Sequence, residues 1–176
     1  YKRQRFNNGH HGPAWDYQVE ELGYKYCMND IAAAVGLVQL DKLDRSNAMR
    51  RRLVDRYHRA FAKVEGVEPL ALKDYGESAC YCMVIRIDER DALGDHLLAR
   101  NIQSAVHFRP NHLYPVYAPY RPARLPITES VWERILTLPL YPQMGEAEQD
   151  RVIDGVRSFV EERRVRFAAS QSAAGG

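Results

Sequence analysis

Residues 23–43 read GYKYCMNDIAAAVGLVQLDKL, and this stretch decides the architecture. Asn29 stands where a helix N-cap is expected, its short polar side chain able to accept from an unpaired N–H of the first turn. Asp30 then places a carboxylate at the positive end of the helix. Ile31, Val35 and Val38 recur at helical spacing, and Leu37, Leu40 and Leu43 widen the stripe. Gly36 inside such a helix costs about 1 kcal/mol against Ala, so close approach of another backbone is the expected reason for it. The pattern restarts after Asp44. Met49, Leu53, Tyr57, Ala60, Phe61 and Val64 form one apolar face, and Arg52, Arg56, Arg59 and Lys63 the opposite one. Gly66 is the expected end. Two long, successive amphipathic helices are predicted over 29–66.

On the N-terminal side of this stretch, residues 1–28 carry turn formers (Asn7-Asn8-Gly9, Gly12-Pro13) and scattered aromatics but few aliphatic residues. They read as an irregular arm that lies on something else. On the C-terminal side the period changes to two. Tyr81, Met83, Ile85 and Ile87 alternate with Cys80, Cys82, Val84 and Arg86, a strand pattern that points Cys80 and Cys82 the same way, into a core. Asp88 with Asp91 resembles a capping box opening a helix with Leu93, Leu97 and Leu98 inward, and Asn101 suits its exit. Residues 102–108 read as a second strand. Residues 109–127 hold five of the nine prolines and read as a long ordered loop. Thr128 is expected to cap a short helix through Leu136, Leu138–Tyr141 to be extended, and 146 to about 164 to form a last amphipathic helix. Residues 67–167 are thus expected to be a small α/β domain, a small sheet packed with helices, and 168–176 a disordered tail.

Composition narrows the classes. The 176 residues carry 45% hydrophobic and 27% charged side chains with a net charge of +2, which suits a soluble globular chain and does not call for nucleic acid. The arginine-rich stretch at 45–63 interleaves acidic residues and contains no recognition motif. No apolar run approaches the length of a membrane span, and no signal peptide is visible. Three cysteines without metal-ligand spacing fit a reduced, cytoplasmic setting. His107 and His112 flank Arg109-Pro110, where proline forbids a regular helix, and no carboxylate lies in that segment, so no metal site is expected.

Two readings of residues 107–112 stand on pattern alone. His107, Arg109, Asn111 and His112 leave a strand end into a loop, where ligands of α/β sheets commonly bind; arginine can grip a phosphate and imidazole can donate to its oxygens. They can equally be ordinary loop polarity with one packed histidine. The glycines around His10-His11 could admit a ligand or make a plain turn. Lys25, just before the capped helix, offers a phosphate corner.

Four segments, in order, resemble the DegT/DnrJ/StrS family of pyridoxal-phosphate (PLP) sugar aminotransferases. They are Gly9–Gly12, Gly23–Leu43, VHFRPNHLYPVY at 106–117, and Thr128-Glu129 with Leu138-Pro139-Leu140-Tyr141-Pro142 and the helix bearing Asp150, Val152 and Ile153. The resemblance implies the C-terminal small domain of a fold-type I PLP aminotransferase. It implies an amino transfer, typically from glutamate, to a keto-sugar nucleotide in cell-surface polysaccharide or secondary-metabolite synthesis, by a homodimer with shared active sites. It also implies that the cofactor lysine belongs to an N-terminal PLP domain. Lys2, Lys25, Lys42, Lys63 and Lys73 are the lysines here, and none sits in the family's lysine motif, so the chain alone is expected to be inactive. Lys25 and Tyr26 align with the family's turn toward the PLP phosphate, though Lys25-Tyr26-Cys27 departs from its Asn-Tyr-Arg pattern. His107 and His112 align with substrate-facing positions, with His11, Arg109 and Asn111 as further substrate candidates. The competing expectation is a non-catalytic sugar-nucleotide-binding or dimerisation module.

Overall fold

Asn29 does cap the first long helix: its Oδ1 accepts from the Ala32 N–H at 2.8 Å. From that cap α1 runs Asp30–Phe61 without a break. The structure is a computed structural model that describes residues 2–4, 19–22, 24, 26, 28–71, 76–120 and 124–174. It has one helix where the sequence predicts two. Ser46 and Asn47, residues that suit a new cap, stay helical, and the Asn47 Oδ1 accepts from the Arg50 guanidinium at 3.2 Å instead of capping backbone. With no proline in the span, the i→i−4 ladder simply continues.

The chain divides into two units, 1–43 and 44–176, the division falling inside α1. In the first unit β1 (Lys2–Gln4) pairs antiparallel with β2 (Val19–Leu22), Lys2 opposite Leu22 and Arg3 opposite Glu21. The arm predicted to be irregular over 1–28 therefore contains a two-stranded ribbon. Ile31, Val35, Leu37, Val38, Leu40 and Leu43 are all exposed, Ile31 at 80%. A Cβ on Gly36 would meet nothing within 4 Å, so the expected backbone contact is not made among the described residues.

The second unit is built on an antiparallel sheet of order β3 (Glu68–Pro69), β4 (Met83–Arg86), β5 (Ile135–Leu138). Met83 lies opposite Leu138 and Ile85 opposite Leu136, so one sheet face presents these four side chains to the core. Three helices meet that face. α1 supplies Val54, Tyr57 and Phe61; α2 (Arg90–Leu98) supplies Leu93 and Leu97; α4 (Glu146–Ala174) supplies Val152, Ile153, Val156 and Phe159. Tyr57 keeps its hydroxyl satisfied by donating to the Pro139 carbonyl at 3.0 Å, and burial pushes its titration well above the usual range. Gln149, fully buried, donates to the Leu53 carbonyl at 2.7 Å and ties α4 to α1. α2 meets α4 closely: a Cβ on Gly155 would come within 2.8 Å of Leu97 Cδ2 and 3.3 Å of Ile102. The close approach sought at Gly36 occurs here instead.

Several boundaries differ from the sequence reading, each for a local reason. Cys80 sits at φ +48, so the two-residue alternation does not extend back through it; Cys80 is buried while Cys82 is only partly so. Residues 102–108 form no strand beyond one bridge, in which Ala105 and Thr137 exchange backbone bonds of 3.1 and 2.7 Å. α2 begins at Arg90 after Glu89 with no side-chain cap, because Asp88 and Asp91 pair with Arg134 and Arg90 rather than with backbone. Its exit is as expected: Asn101 takes φ +57, and Ile102 N–H closes onto the Leu97 carbonyl at 3.0 Å. The proline-rich loop holds two 3-10 helices, Asn111–Leu113 and Pro115–Tyr120. α3 (Pro126–Arg134) starts at its proline, two residues before Thr128, and β5 follows it directly, three residues ahead of the expected extended piece. α4 continues through 168–174, where a disordered tail was expected.

Candidate functional site

Nine consecutive positions, Glu129–Thr137, pass from α3 into β5 and hold the polar side chains of the preceding loop. Glu129 and Trp132 are three residues apart on α3 and so share one face. Thr137 is on β5, where alternation points it to the sheet face opposite Leu136 and Leu138.

Glu129 Oε1 accepts from the Leu125 N–H at 3.1 Å, closing the first turn of α3 by reaching back, as the glutamate of a capping box does. The same oxygen accepts from His112 Nε2 at 3.0 Å. These two donors, Leu125 foremost, hold the Glu129 carboxyl below the ordinary carboxylate range. His112 is only 9% exposed. His107, by contrast, is exposed, with its Nδ1 bonded to Thr137 Oγ1 at 3.0 Å and its ring edge-on to Phe108. Arg109 is exposed too. Its guanidinium carbon lies over the rings of Tyr114 and Trp132, 5.6 and 5.8 Å from their centres, and one nitrogen donates to the Leu113 carbonyl at 3.4 Å.

Arg90 locks the far end of α3. It is buried, donates to the Trp132 and Ile135 carbonyls at 3.2 and 3.3 Å, and also lies 5.8 Å from the Trp132 ring centre. It thereby satisfies carbonyls that the last helical turn leaves unpaired, with its charge at the negative end of the helix. A groove of about 820 Å³ opens beside it, lined by Arg90, Gly94, Ser104, Ala105, His107 and Thr137 among others. That volume is in the range of small-molecule sites.

Of the residues nominated from sequence, the structure brings His107, Arg109 and His112 onto one short stretch. Asn111 is exposed at the start of the first 3-10 helix, its carbonyl accepting from the Tyr114 N–H at 3.0 Å. Tyr26 belongs to the other unit, exposed at 86% with its ring 5.9 Å from that of Tyr24. Lys25 and His11 lie outside the described residues. Sequence reasoning missed the three anchors. Glu129 could be seen only as part of a signature, and nothing in the pattern marked Trp132 or Thr137.

Chemically, the arrangement presents an exposed imidazole on the groove wall and, two residues along the loop, a cation braced by aromatic rings, groups suited to phosphate and hydroxyl oxygens. Of the lysines, Lys42 and Lys63 are exposed. The side chains of Lys2, Lys25 and Lys73 are outside the described part. Among the described residues no cluster of three His, Cys, Asp or Glu side chains is placed to hold a metal, and no helix is long and apolar enough to cross a membrane.

Comparison with known proteins gives the family of the chain. The sequence pattern of the DegT/DnrJ/EryC1/StrS aminotransferase family matches residues 4–157. The spore coat polysaccharide biosynthesis protein SpsC of Bacillus subtilis is 36% identical over 160 residues, covering 84% of this chain and 40% of SpsC. Among solved structures, DesV of S. venezuelae, in complex with a ketimine intermediate, superimposes with a TM-score of 0.79 at 31% identity, over 85% of this chain and 41% of DesV. Spr1654 of Streptococcus pneumoniae, in a PLP form, gives 0.77 at 30% identity over 85% of this chain and 40% of its own. The chain thus spans about 40% of the length of the relatives it matches.

Proposed function

Because this chain belongs to the DegT/DnrJ/EryC1/StrS aminotransferase family, we propose that it is the substrate-binding, C-terminal part of an enzyme that moves an amino group from glutamate to a keto-sugar nucleotide. The setting would be the synthesis of cell-surface polysaccharide or of a secondary-metabolite sugar, in the cytoplasm, by a homodimer. The observation that carries this reading is the convergence of His107, Arg109 and His112 on Glu129–Thr137, beside an open groove. In it, Arg109 meets the diphosphate, His107 and Asn111 meet hydroxyl or phosphate oxygens, and His112, tied to Glu129, fixes the loop that carries them.

Pyridoxal phosphate, when bound in such an enzyme, supplies the electron sink for amino transfer. Since the chain spans about 40% of its relatives and none of its lysines sits in the family's lysine motif, the cofactor is assigned to a lysine-bearing domain N-terminal to these residues. Lys25, Tyr26 and His11 are assigned to the turn and arm that complete the site around its phosphate and the substrate. The apolar first half of α1 supports the need for such neighbours, because a helix apolar around most of its surface is normally covered by protein.

The test is a comparison of this chain with a polypeptide that joins it to the lysine-bearing domain. Formation of 2-oxoglutarate from glutamate and a nucleotide-linked keto-sugar, together with visible absorbance of bound cofactor, is expected only for the joined polypeptide. If the chain binds sugar nucleotide and self-associates while the joined polypeptide transfers nothing, the non-catalytic module is the correct reading. The exposed α1 stripe is the feature that favours that second reading.

A further inference from the structure

Arg109, two residues along the loop from the groove-lining His107, is held in an unusual way. Its guanidinium lies over two aromatic rings, Tyr114 and Trp132, and has no carboxylate partner among the described residues. Trp132 is itself fixed, since its carbonyl accepts from buried Arg90, whose guanidinium lies 5.8 Å from the indole centre. Two guanidinium groups therefore share one indole. Two carboxylates of this network have other partners: Asp91 pairs with Arg90, and Glu129 with Leu125 and His112.

A guanidinium carries five N–H donors around its edge and none on its faces. Rings beside the guanidinium restrain it without taking its donors as a carboxylate would, and their quadrupoles favour the charge. One donor goes to the Leu113 carbonyl at 3.4 Å. The rest of the edge is left for an oxyanion. A carboxylate partner would have held the side chain equally well while neutralising it. Aromatic bracing keeps the charge available.

We propose that Trp132 and Tyr114 are positioning residues that pre-organise Arg109 to receive the diphosphate of the substrate. The proposal rests on the sugar-nucleotide reading given above and deepens it. Holding the side chain still in advance removes part of the ordering entropy that binding would otherwise cost. It also makes the site select for charge rather than for sugar shape at this position.

Trp15 and Trp132 are the two tryptophans of the chain, so a Trp15→Phe background leaves Trp132 as its own reporter. In the 176-residue chain, titration with pyrophosphate is expected to change Trp132 emission, and Arg109→Gln is expected to abolish both the change and the binding measured by calorimetry. In the natural chain, Trp132→Leu and Tyr114→Leu should each weaken pyrophosphate binding by about five-fold, the size of one partly exposed cation–π contact, while Trp132→Phe and Tyr114→Phe retain most of it. Uridine, which carries no phosphate, should show no dependence on any of these substitutions. Tyr114 is partly exposed on a loop, so its variants keep the test valid if Trp132→Leu disturbs the fold. Equal pyrophosphate affinity in wild type, Tyr114→Leu and a folded Trp132→Leu overturns the positioning role. If Arg109→Gln binds pyrophosphate normally, the arginine is not the anion site, yet the substrate reading survives through His107. If the chain joined to its lysine-bearing domain binds neither pyrophosphate nor a sugar nucleotide, both readings fall.

Discussion

Glu129 shows how one side chain can serve structure and site together. A single carboxylate oxygen takes the Leu125 N–H that opens α3 and the His112 N–H that fixes the loop. The ionised form is the one both donors favour, which is why its pKa is depressed. A carboxyl with a lower pKa when folded contributes stability that is present above its unfolded pKa and is lost as pH falls through the folded value. Glu129→Gln is therefore expected to lower the urea midpoint at pH 7 and to differ less and less from wild type as the pH is taken down to about 3. A constant difference across that range would mean that the charge is not what matters. The sequence left His112 open between a ligand-facing group and a packed histidine; its ring is buried beside Glu129, while His107 and Arg109 are exposed.

At the scale of elements, the contact between α2 and α4 is the tightest constraint. Gly155 lets Leu97 and Ile102 press against the α4 backbone, and any Cβ there would intrude on the core. Gly155→Val is expected to destabilise by roughly 1–3 kcal/mol in chemical unfolding, the usual cost of overpacking, even though glycine is itself a poor helix former. Gly36→Ala, in the same test, should be neutral or stabilising by up to about 1 kcal/mol, since nothing described lies against it. The same interface carries a titrating group. His96 Nε2 lies 3.0 Å from Ser158 Oγ, whose hydroxyl donates to the Gly155 carbonyl, and its ring stands edge-on to Phe159. Burial first, then the Arg100 charge, pushes its pKa below the ordinary value, against the opposing pull of Glu162.

The stability of the second unit should then depend on pH in a defined direction. With the His96 pKa lower folded than unfolded, the unfolded chain binds more protons, so this contribution is intact above about pH 6.5 and fades below it. Unfolding measured between pH 7.5 and 5.5 should show a loss of stability that His96→Gln flattens; an unchanged slope in that variant would assign the loss elsewhere. The first half of α1 poses a different question for the whole molecule. Its apolar residues are open to solvent within their own unit, so replacing them should cost little fold stability, about 0.5 kcal/mol or less. If the proposed homodimer forms through this face, Val35→Asp with Leu40→Asp is expected to leave the unfolding midpoint nearly unchanged while light scattering reports a monomer where the parent chain is a dimer. Retention of the dimer would remove this face from the assembly.

The sequence by itself determined the elements whose signal is local. The Asn29 cap, the helical stripes of α1 and α4, the β4 run and the left-handed exit at Asn101 were legible because periodicity and capping are written within one or two turns of chain. The ordered motifs likewise carried the family. Only the tertiary structure decided that α1 is one helix and that 102–108 contributes a bridge rather than a strand. It alone showed that His112 is held by Glu129 across 17 residues and His107 by Thr137 across 30. Those partnerships depend on which side chains the fold carries to the same place, and no local spacing encodes the meeting of residues brought together by a sheet edge and a helix face.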